Sequence, residues 1–477
     1  MNKLKLFIEN ILIYGLGGVF SKLVPLLMIP IVTRLMPNTE YFGLSDMSNT
    51  VVSFASALAG MGMYDAMYRM FFEKDDEKYK KTVCSTALTF SLMTSFAVFL
   101  LLILLKETVA KLFFENEKYA YLVYLSATAT LVGATNNIIS APIRMQNKRK
   151  TYIVANTVSP LLSYTIAIPL LLAGYYTVAM PLAGVISGIT MEFTFGILNR
   201  KWFSFGLFDN KLLKELLLIG VPLLPNFLIY WVFNSSDKLM ITNIMGLGAA
   251  GIYSVGSKLG HASQLIYRAF SGGWQYFAFS TMKEKDQVKS NSVIYEYLGV
   301  ISYSATLFIC ALSYPIYCIA FPGEYLSGYI IAPYLFLAPL LQMLFQVASN
   351  QLLVIKKTWP MLPMMFGGAA FNMALNLVLI PILGIEGASI ATLAGYILTN
   401  VVCIFVLVKM KLIVLSGRFL VSTAVLAALF VMWRMLWPDN AVIGLAAAVA
   451  GSGVFVFLYR EDLIKLRDMV FKKRKAK

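Results

Sequence analysis

The sequence is short of charged residues and of most reactive side chains. Only 13% of its 477 residues are Asp, Glu, Lys or Arg, whereas 59% are hydrophobic, and this balance excludes an ordinary soluble globule. A single histidine excludes a His-cluster metal site, so we expect no metal ion and no cofactor. The cysteines lack metal-ligand spacing and are expected to be core or lipid-facing residues. They are Cys84, Cys310, Cys318 and Cys403.

Apolar segments of membrane-spanning length follow one another along the whole chain. The first comes after Lys3 and Lys5, and because no signal-peptidase type of site follows, we expect an uncleaved transmembrane helix. The sequence therefore predicts an all-α polytopic membrane protein with about fourteen transmembrane helices and short loops. The predicted spans are residues 9–32, 44–68, 82–105, 119–142, 152–174, 178–198, 214–235, 249–275, 292–314, 329–353, 360–382, 387–408, 418–437 and 441–459.

The basic residues outside these spans favour one side of the membrane. Of the 40 Lys and Arg residues, 31 share a side with the two termini and only six lie on the other. Lys and Arg stay on the cytoplasmic side, so we predict cytoplasmic termini and a location in the cytoplasmic membrane. The basic tail, residues 472–477, is expected to lie on membrane lipids and not on nucleic acid. The six residues on the other side are Arg34, Lys106, Lys111, Lys118, Lys238 and Arg434.

Short segments recur 207 to 209 residues apart. Residues 40–47 resemble residues 249–256, and the basic turn at 148–152 resembles the one at 355–359. Each half then has six helices, and an even number keeps both halves in the same orientation, related by an axis along the membrane normal. The predicted domains are an N-terminal six-helix bundle at 1–205, a second bundle at 206–410, and two extra helices with the basic tail at 411–477.

The first predicted helix of each half carries a pair of prolines. Pro25 and Pro30 in the first half correspond to Pro222 and Pro225 in the second. Interrupted helices at related places in two halves indicate a transport site, where these prolines would form hinges. Prolines are also common in transmembrane helices as simple kinks, and the sequence leaves both interpretations open.

Three cations lie deep within predicted spans, away from their ends. Lys22 is near the middle of the first span, and Lys258 and Arg268 lie in the eighth, with His261 between them. Charges at that depth are costly unless they face a protein-lined or watery cavity, so the sequence predicts an internal site for an anionic ligand. For Lys258 the alternative is that the side chain reaches the membrane surface.

Further polar residues complete the candidate site. Arg69 could catch a headgroup at the cytoplasmic boundary, although a topology charge or an ion pair with Asp65 is the simpler interpretation. Asn226 and Gln264 suit sugar hydroxyls. Glu192 could be an ion or proton site or pair with Lys22. The remaining candidates for ion coupling are Asp65, His261 and Asp237, the last at the outer end of the seventh predicted helix as an interfacial anchor or a gate.

The chain resembles the polysaccharide repeat-unit flippases, the O-antigen and capsule exporters of the multidrug/oligosaccharidyl-lipid/polysaccharide (MOP) exporter superfamily. The resemblance covers the whole length and depends on the order of short motifs in both halves. They are Asn10-x3-Tyr14-Gly15 with Lys22, Met28-Ile-Pro30-x2-Thr33-Arg34-Leu35, Tyr41-x-Gly43, Gly220-x-Pro222-x2-Pro225, Ser236-Asp237-Lys238 and Gly251-Ile-Tyr253-Ser-Val-x2-Lys258-Leu259.

This resemblance implies a MATE-like fold of two bundles around a central cavity, working by alternating access. The implied substrate is an oligosaccharide joined by pyrophosphate to a polyprenyl lipid, with Lys22, Lys258 and Arg268 as phosphate contacts. A polysaccharide polymerase and its chain-length machinery are the implied protein partners. Fourteen helices also occur in related flippases for the peptidoglycan lipid precursor, so that branch stays open.

Two further function classes compete with this one. A multidrug or cation antiporter of the same superfamily would share the fold, but its cavity should be acidic, whereas the candidate cations make this one basic. A membrane enzyme would need clustered acid, base or metal ligands, and none is evident, so we expect a protein that is not an enzyme. The sequence has no GxxxxGK[ST] loop for ATP, and an anion moving outward would be driven by the membrane potential by about 2.3 kcal/mol per charge per 100 mV.

Overall fold

The computed structural model describes residues 24–146, 148–267, 270, 274, 286–321 and 323–464, without the side chains of residues 149 and 205. Within these ranges the chain forms helices and turns and no β-strand. The helices are α1 (Val24–Leu35), α2 (Thr39–Gly60), α3 (Met63–Phe71), α4 (Glu77–Leu104), α5 (Lys106–Phe114), α6 (Ala120–Met145), α7 (Arg149–Leu172), α8 (Ala179–Asn199), α9 (Asn210–Gly220), α10 (Leu224–Met245), α11 (Leu247–Gly260), α12 (Gln287–Ala320), α13 (Ala332–Val354), α14 (Met361–Lys409), α15 (Gly417–Leu436) and α16 (Ala441–Leu458).

The helices match the predicted membrane spans in order and position. In the described ranges, ten helices are long and apolar enough to cross a membrane, which confirms a multi-pass, all-α membrane protein. The exact number of fourteen stays a prediction. Most of the first predicted span lies outside the described residues, and the shorter helix α1 covers its end.

Helix α14 contains two predicted spans. It runs for 49 residues and bends at Gly384, where φ is +61°. An L side chain rarely adopts this backbone conformation, so glycine is required for the bend. The bend lies between the predicted spans 360–382 and 387–408, as the sequence indicated.

The seventh predicted helix is longer than expected. Helix α9 begins at the Asp209 cap, whose carboxylate accepts the backbone N–H groups of Lys211 and Leu212. A single 3-10 turn, Val221–Leu223, then leads into α10, which continues to Met245. The predicted span ended at residue 235, where the hydrophobic run stops. Ten more residues, with their charged side chains, therefore belong to the helix.

By spatial contact the chain separates into two compact units. Unit 1 contains the residues up to Val255 and Met373–Ala388, and unit 2 contains Gly256–Asn372 and the residues from Ser389 onward. These boundaries differ from the predicted bundles at 1–205 and 206–410. Spatial contact and sequence repetition are different properties, so the bundle boundaries stay a prediction.

One core of unit 1 includes a segment that the hydropathy pattern left as a loop. Residues 106–114 form the short helix α5, whose Phe113 and Phe114 are buried against Leu44 and Leu122. Burying one such phenylalanine contributes roughly 1.5–3 kcal/mol. The loop between the third and fourth predicted spans is thus packed onto α2 and α6.

Unit 2 is built on α12, which packs against α13, α15 and α16. Small residues allow the close approach of α16: a Cβ added at Gly444 would lie 2.9 Å from the Cα of Ala311. Membrane helices commonly pack through small residues in this way. The last two helices are therefore packed onto the unit.

Candidate functional site

Helices α2 and α11 cross with their backbones in contact. A Cβ added at Gly43 would overlap the carbonyl oxygen of Leu247, and one added at Gly251 would overlap the carbonyl oxygen of Thr39. The two contacts are reciprocal, because residues 39 and 43 correspond to residues 247 and 251 at an offset of 208. Equivalent residues meet in this reciprocal way at a two-fold axis. The crossing supports an internal repeat at this offset, and the predicted parallel arrangement of the two halves stays a prediction.

One helical turn beyond this crossing lies a buried polar group that we call the α2 network: Asp46, Asp237, Lys238, Tyr253 and Ser254. The Nζ atom of Lys238 donates to Oδ2 of Asp46 over 2.6 Å, and Oγ of Ser254 donates to the same oxygen over 2.7 Å. Tyr253 donates its hydroxyl to Asp237, whose other oxygen accepts the backbone N–H of Lys238 over 2.9 Å. The network joins α2, α10 and α11.

The α2 network is almost completely removed from solvent. The exposed fractions are 4% for Asp46, 4% for Asp237 and 9% for Lys238. A buried charge is tolerated only when it is paired and hydrogen-bonded, and here each carboxylate has at least two donors. This arrangement holds the three helices together through bonds that are strong only while water is excluded.

The sequence-based placement of Asp237 and Lys238 was wrong. Both were expected at the outer end of a helix as interfacial residues, and Lys238 was counted among the loop charges on the outer side. The structure places both inside α10 and buries them. Pairing with Asp46 neutralises the lysine, so a hydrophobic run can continue past it.

A second buried carboxylate lies in unit 2, in a group that we call the Glu296 clamp: Glu296, Ser416, Arg418, Tyr459 and Asp462. Glu296 is 3% exposed and accepts the backbone N–H of Ser416 over 2.6 Å and its hydroxyl over 2.7 Å. The Tyr459 hydroxyl also donates to it, over 3.2 Å. Arg418 lies 3.6 Å from Glu296, donates to Asp462 over 2.6 Å, and stands 4.2 Å over the Tyr459 ring.

The clamp fastens α15 and the residue after α16 to α12. Sequence reasoning missed it, because Glu296 is one acidic residue in an apolar span and its partners are at least 120 residues away. The same holds for Asp46 and Ser254. Those two residues lie in the repeated segments, but the predicted alignment of the segments did not pair them.

Of the predicted phosphate contacts, Lys22 and Arg268 lie outside the described residues. Lys258 is half-buried near the end of α11. A 3-10 turn, His261–Ser263, follows and changes the spacing, so an unbroken α-helical stripe is not the arrangement here. Gln264 comes directly after that turn and is half-buried. The role of these residues in substrate binding stays a prediction.

The predicted prolines lie in helices. Pro25 and Pro30 are in α1, Pro222 is in the 3-10 turn, and Pro225 is in the first turn of α10. The 3-10 turn Val221–Leu223 lies between two contacts that α9 and α10 make with neighbouring helices. One is the α2 network, and the other is a close approach at Gly220, where an added Cβ would lie 2.6 Å from a backbone carbonyl oxygen. The hinge role stays a prediction.

Asp65 and Arg69, at the predicted cytoplasmic boundary, do not form the ion pair that was one interpretation of their spacing. Asp65 and Arg69 are both exposed on α3, and in the described part of the chain no ion pair joins them. The ordered cation nearby is Arg144 at the end of α6, which lies 5.6 Å from the centre of the Tyr64 ring and 5.3 Å from that of Tyr152. Such stacking orients the guanidinium group.

The two remaining candidates are half-buried. Glu192 on α8 accepts a hydrogen bond of 2.5 Å from Thr135 on α6, so its nearest described partner is a hydroxyl. Its predicted alternative partner, Lys22, is outside the described residues. Asn226 lies in the first turn of α10. Among the residues that the structure describes, no group of His, Cys, Asp and Glu could hold a metal ion.

Comparison with known proteins identifies the family. The family model described as "Polysaccharide biosynthesis protein" matches residues 7–282. No curated protein matches the chain.

Several solved structures share its fold. A structure of the lipid II flippase MurJ in an inward closed conformation has a TM-score of 0.71 at 15% identity, covering 95% of this chain and all of its own. An inward-facing multidrug resistance MATE transporter has a TM-score of 0.63 at 13% identity, covering 82% of this chain and 97% of its own. A MATE transporter from Vibrio cholerae has a TM-score of 0.61 at 12% identity, covering 86% and 98%. The family match extends over more than half of the sequence, and the chain therefore belongs to the polysaccharide biosynthesis protein family.

Proposed function

We propose that this protein is a flippase that moves an oligosaccharide, joined by pyrophosphate to a polyprenyl lipid, from the cytoplasmic to the outer leaflet. The family match over residues 7–282 carries the proposal. The fold comparison supports it. The flippase structure covers 95% of this chain and the two MATE transporters cover 82% and 86%. The part of this chain that the flippase structure covers beyond the two MATE transporters is comparable in length to α15 and α16 together.

The α2 network gives this flippase a closing contact. Asp46 comes from the first half of the repeat, and Lys238 and Ser254 come from the second. The positive-inside prediction places the connection between α1 and α2, two short turns from Asp46, on the outer side. Closing the outer side would bury the ion pair, and opening it would return both charges to water.

Such a contact suits a switch between two states. The attraction of a buried ion pair is largely offset by the cost of removing both charges from water, so the net energy of forming it is small. A purely apolar seal would expose hydrophobic surface each time it opened. The 3-10 turn with Pro222, together with Pro225, would let α10 move while α9 stays in place.

The test uses purified protein in liposomes that carry a fluorescent polyprenyl-pyrophosphate oligosaccharide. An impermeant glycosidase is added outside, and the protected fraction of the probe is followed over time. We expect wild type to move the probe between leaflets and Lys238→Ala to fail. The variant Lys111→Ala, at an exposed lysine, is the control and should behave as wild type.

A different result would overturn the proposal. If wild type leaves the probe in place but expels an organic cation such as tetraphenylphosphonium, the protein is an antiporter. Movement of the probe at the same rate in Lys238→Ala would remove the α2 network from the mechanism while leaving the flippase function in place.

A further inference from the structure

A cleft lies between α2, α6 and α8 in unit 1. Its volume is about 230 Å³, many times the space that one water molecule needs. None of the lining residues that the structure describes is charged. Apolar side chains such as Val52 and Leu125 form part of the wall. The polar lining consists of hydroxyl and amide side chains, namely Ser48, Asn49, Ser126 and Asn136.

Two of these polar groups are buried without a partner. Ser48 is 3% exposed and Ser126 is 1% exposed, and neither hydroxyl has a hydrogen-bond partner among the described residues. The hydroxyls of nearby Thr50 and Thr130 instead bond to backbone carbonyls one turn earlier in their own helices. Neighbouring atoms cover both hydroxyls, so the polar lining groups with accessible surface are the side chains of Asn49, which is exposed, and Asn136, which is half-buried.

Glycines shape the wall that α8 contributes. Residues 181, 184, 185 and 188 line the cleft at helical spacing, which places Gly184 in the middle of this stripe. No described atom lies within 4 Å of a Cβ added there. Gly133 on α6 and Gly188 on α8 also line the cleft. The open space is therefore beside Gly184, whereas Cβ atoms added at Gly188 and Gly133 would touch the side chains of Val132 and Ser56.

We propose that this cleft binds one neutral sugar ring of the substrate's oligosaccharide. The inference rests on the proposed function and names a subsite for it. Hydroxyl and amide groups both donate and accept hydrogen bonds, as sugar hydroxyls do. A phosphate would need cationic donors and an organic cation would need a carboxylate, and the lining offers neither. The apolar residues and the glycine walls suit the C–H faces of a pyranose ring.

The first test fills the cleft. Gly184→Leu places a side chain in the open space without meeting a described backbone atom. Gly196→Leu is the matched control, since Gly196 is on the same helix, also has open space around it, and lies outside the cleft. Binding of methyl hexopyranosides to protein in nanodiscs is measured by saturation-transfer NMR. We expect wild type and Gly196→Leu to bind the neutral glycosides, and Gly184→Leu to bind about tenfold more weakly.

The second test removes the two amide side chains that line the cleft. Because Asn49 is exposed and Asn136 is half-buried, the double variant Asn49→Ala/Asn136→Ala should change the thermal stability little and bind the glycosides about tenfold more weakly. Equal binding by wild type, Gly184→Leu and the double asparagine variant would overturn the subsite. Failure of wild type to bind any neutral methyl hexopyranoside would overturn it as well.

The two proposals fail separately. Glycoside binding without movement of the lipid-linked probe would refute the flippase function and leave the sugar site standing. Movement of the probe by wild type and by Gly184→Leu at the same rate would refute the subsite and leave the flippase function standing.

Discussion

Two buried carboxylates with cationic partners, Asp46 in unit 1 and Glu296 in unit 2, are held in different ways. Asp46 is bonded by the side chains of Lys238 and Ser254, which belong to two other helices. Glu296 accepts a backbone N–H and a hydroxyl from the same residue, Ser416, at the start of a helix. A lysine side chain can exchange its partner for water by moving, whereas a backbone N–H moves only with its helix.

This difference separates a contact that can open from one that fastens. In the α2 network every bond between two helices joins two side chains, so the helices can part and every charged group can be hydrated. In the Glu296 clamp the carboxylate is supported further by Tyr459 and by Arg418, which itself bonds to Asp462. The bond from the Ser416 backbone N–H ties Glu296 to the start of α15, so it opens only if that helix moves. We therefore expect motion at the first site and rigidity at the second.

The largest expected effect is at Lys238. Lys238→Ala leaves the Asp46 carboxylate buried without its cation, which should lower the free energy of unfolding by about 3–5 kcal/mol. Thermal unfolding in nanodiscs measures this loss. The double variant Asp46→Asn/Lys238→Met should recover most of the stability but not the movement of the lipid-linked probe. Full transport by the double variant would make the network a structural feature only.

An intermediate effect is expected at the clamp. Glu296→Gln weakens the bonds from Ser416 and Tyr459, and hydrogen bonds to a charged group contribute about 1.5–3 kcal/mol each. Hydrogen exchange should become faster in α15 and α16 and stay unchanged in α6. The rate of probe movement should fall less than in Lys238→Ala. Faster exchange throughout the protein would contradict an anchor confined to the last two helices.

The smallest expected effect on transport comes from adding a methyl group at two close helix crossings, one beside the α2 network and one in unit 2. Gly43→Ala and Gly444→Ala each force a methyl group against a neighbouring helix, which costs about 1–3 kcal/mol. Probe movement, compared at equal amounts of folded protein, should fall in Gly43→Ala, beside the α2 network, and stay near wild type in Gly444→Ala. Gly367→Ala is the control, since it has open space around it and should be neutral or slightly stabilising. Equal loss of transport in Gly43→Ala and Gly444→Ala would contradict the expected difference between a moving site in unit 1 and a rigid site in unit 2.

Much of the fold could be predicted from the sequence, because its determinants are local or periodic. Continuous hydrophobic runs predict membrane helices, and the bend at Gly384 lies between two such runs. Repeat offsets of 207 to 209 were visible in short motifs, and the reciprocal contacts of Gly43 and Gly251 have an offset of 208. The predicted end of the seventh span was wrong because a hydropathy pattern stops at Asp237 and Lys238, whether or not their charges are paired.

The candidate site was harder to predict, since it depends on contacts between distant residues. Asp46 meets Lys238 across 192 positions, and Glu296 meets Tyr459 across 163. A lone acidic residue in an apolar helix indicates that a partner exists but not which residue it is. The orphan hydroxyls of Ser48 and Ser126 were equally hidden, because a sequence does not show which serines fail to bond to their own helix.

The offset of 208 also bears on how the Asp46 contact arose. If the two halves of the chain were once identical, their ancestor was a symmetric dimer, and position 46 stood at its axis opposite its own copy. An aspartate there would have faced a second aspartate at hydrogen-bonding distance, a repulsive pair. Only after duplication and fusion could one half carry the acid and the other its donor, as Asp46 and Ser254 now do. On that assumption, the contact between Asp46 and Ser254 arose after the fusion of the two halves.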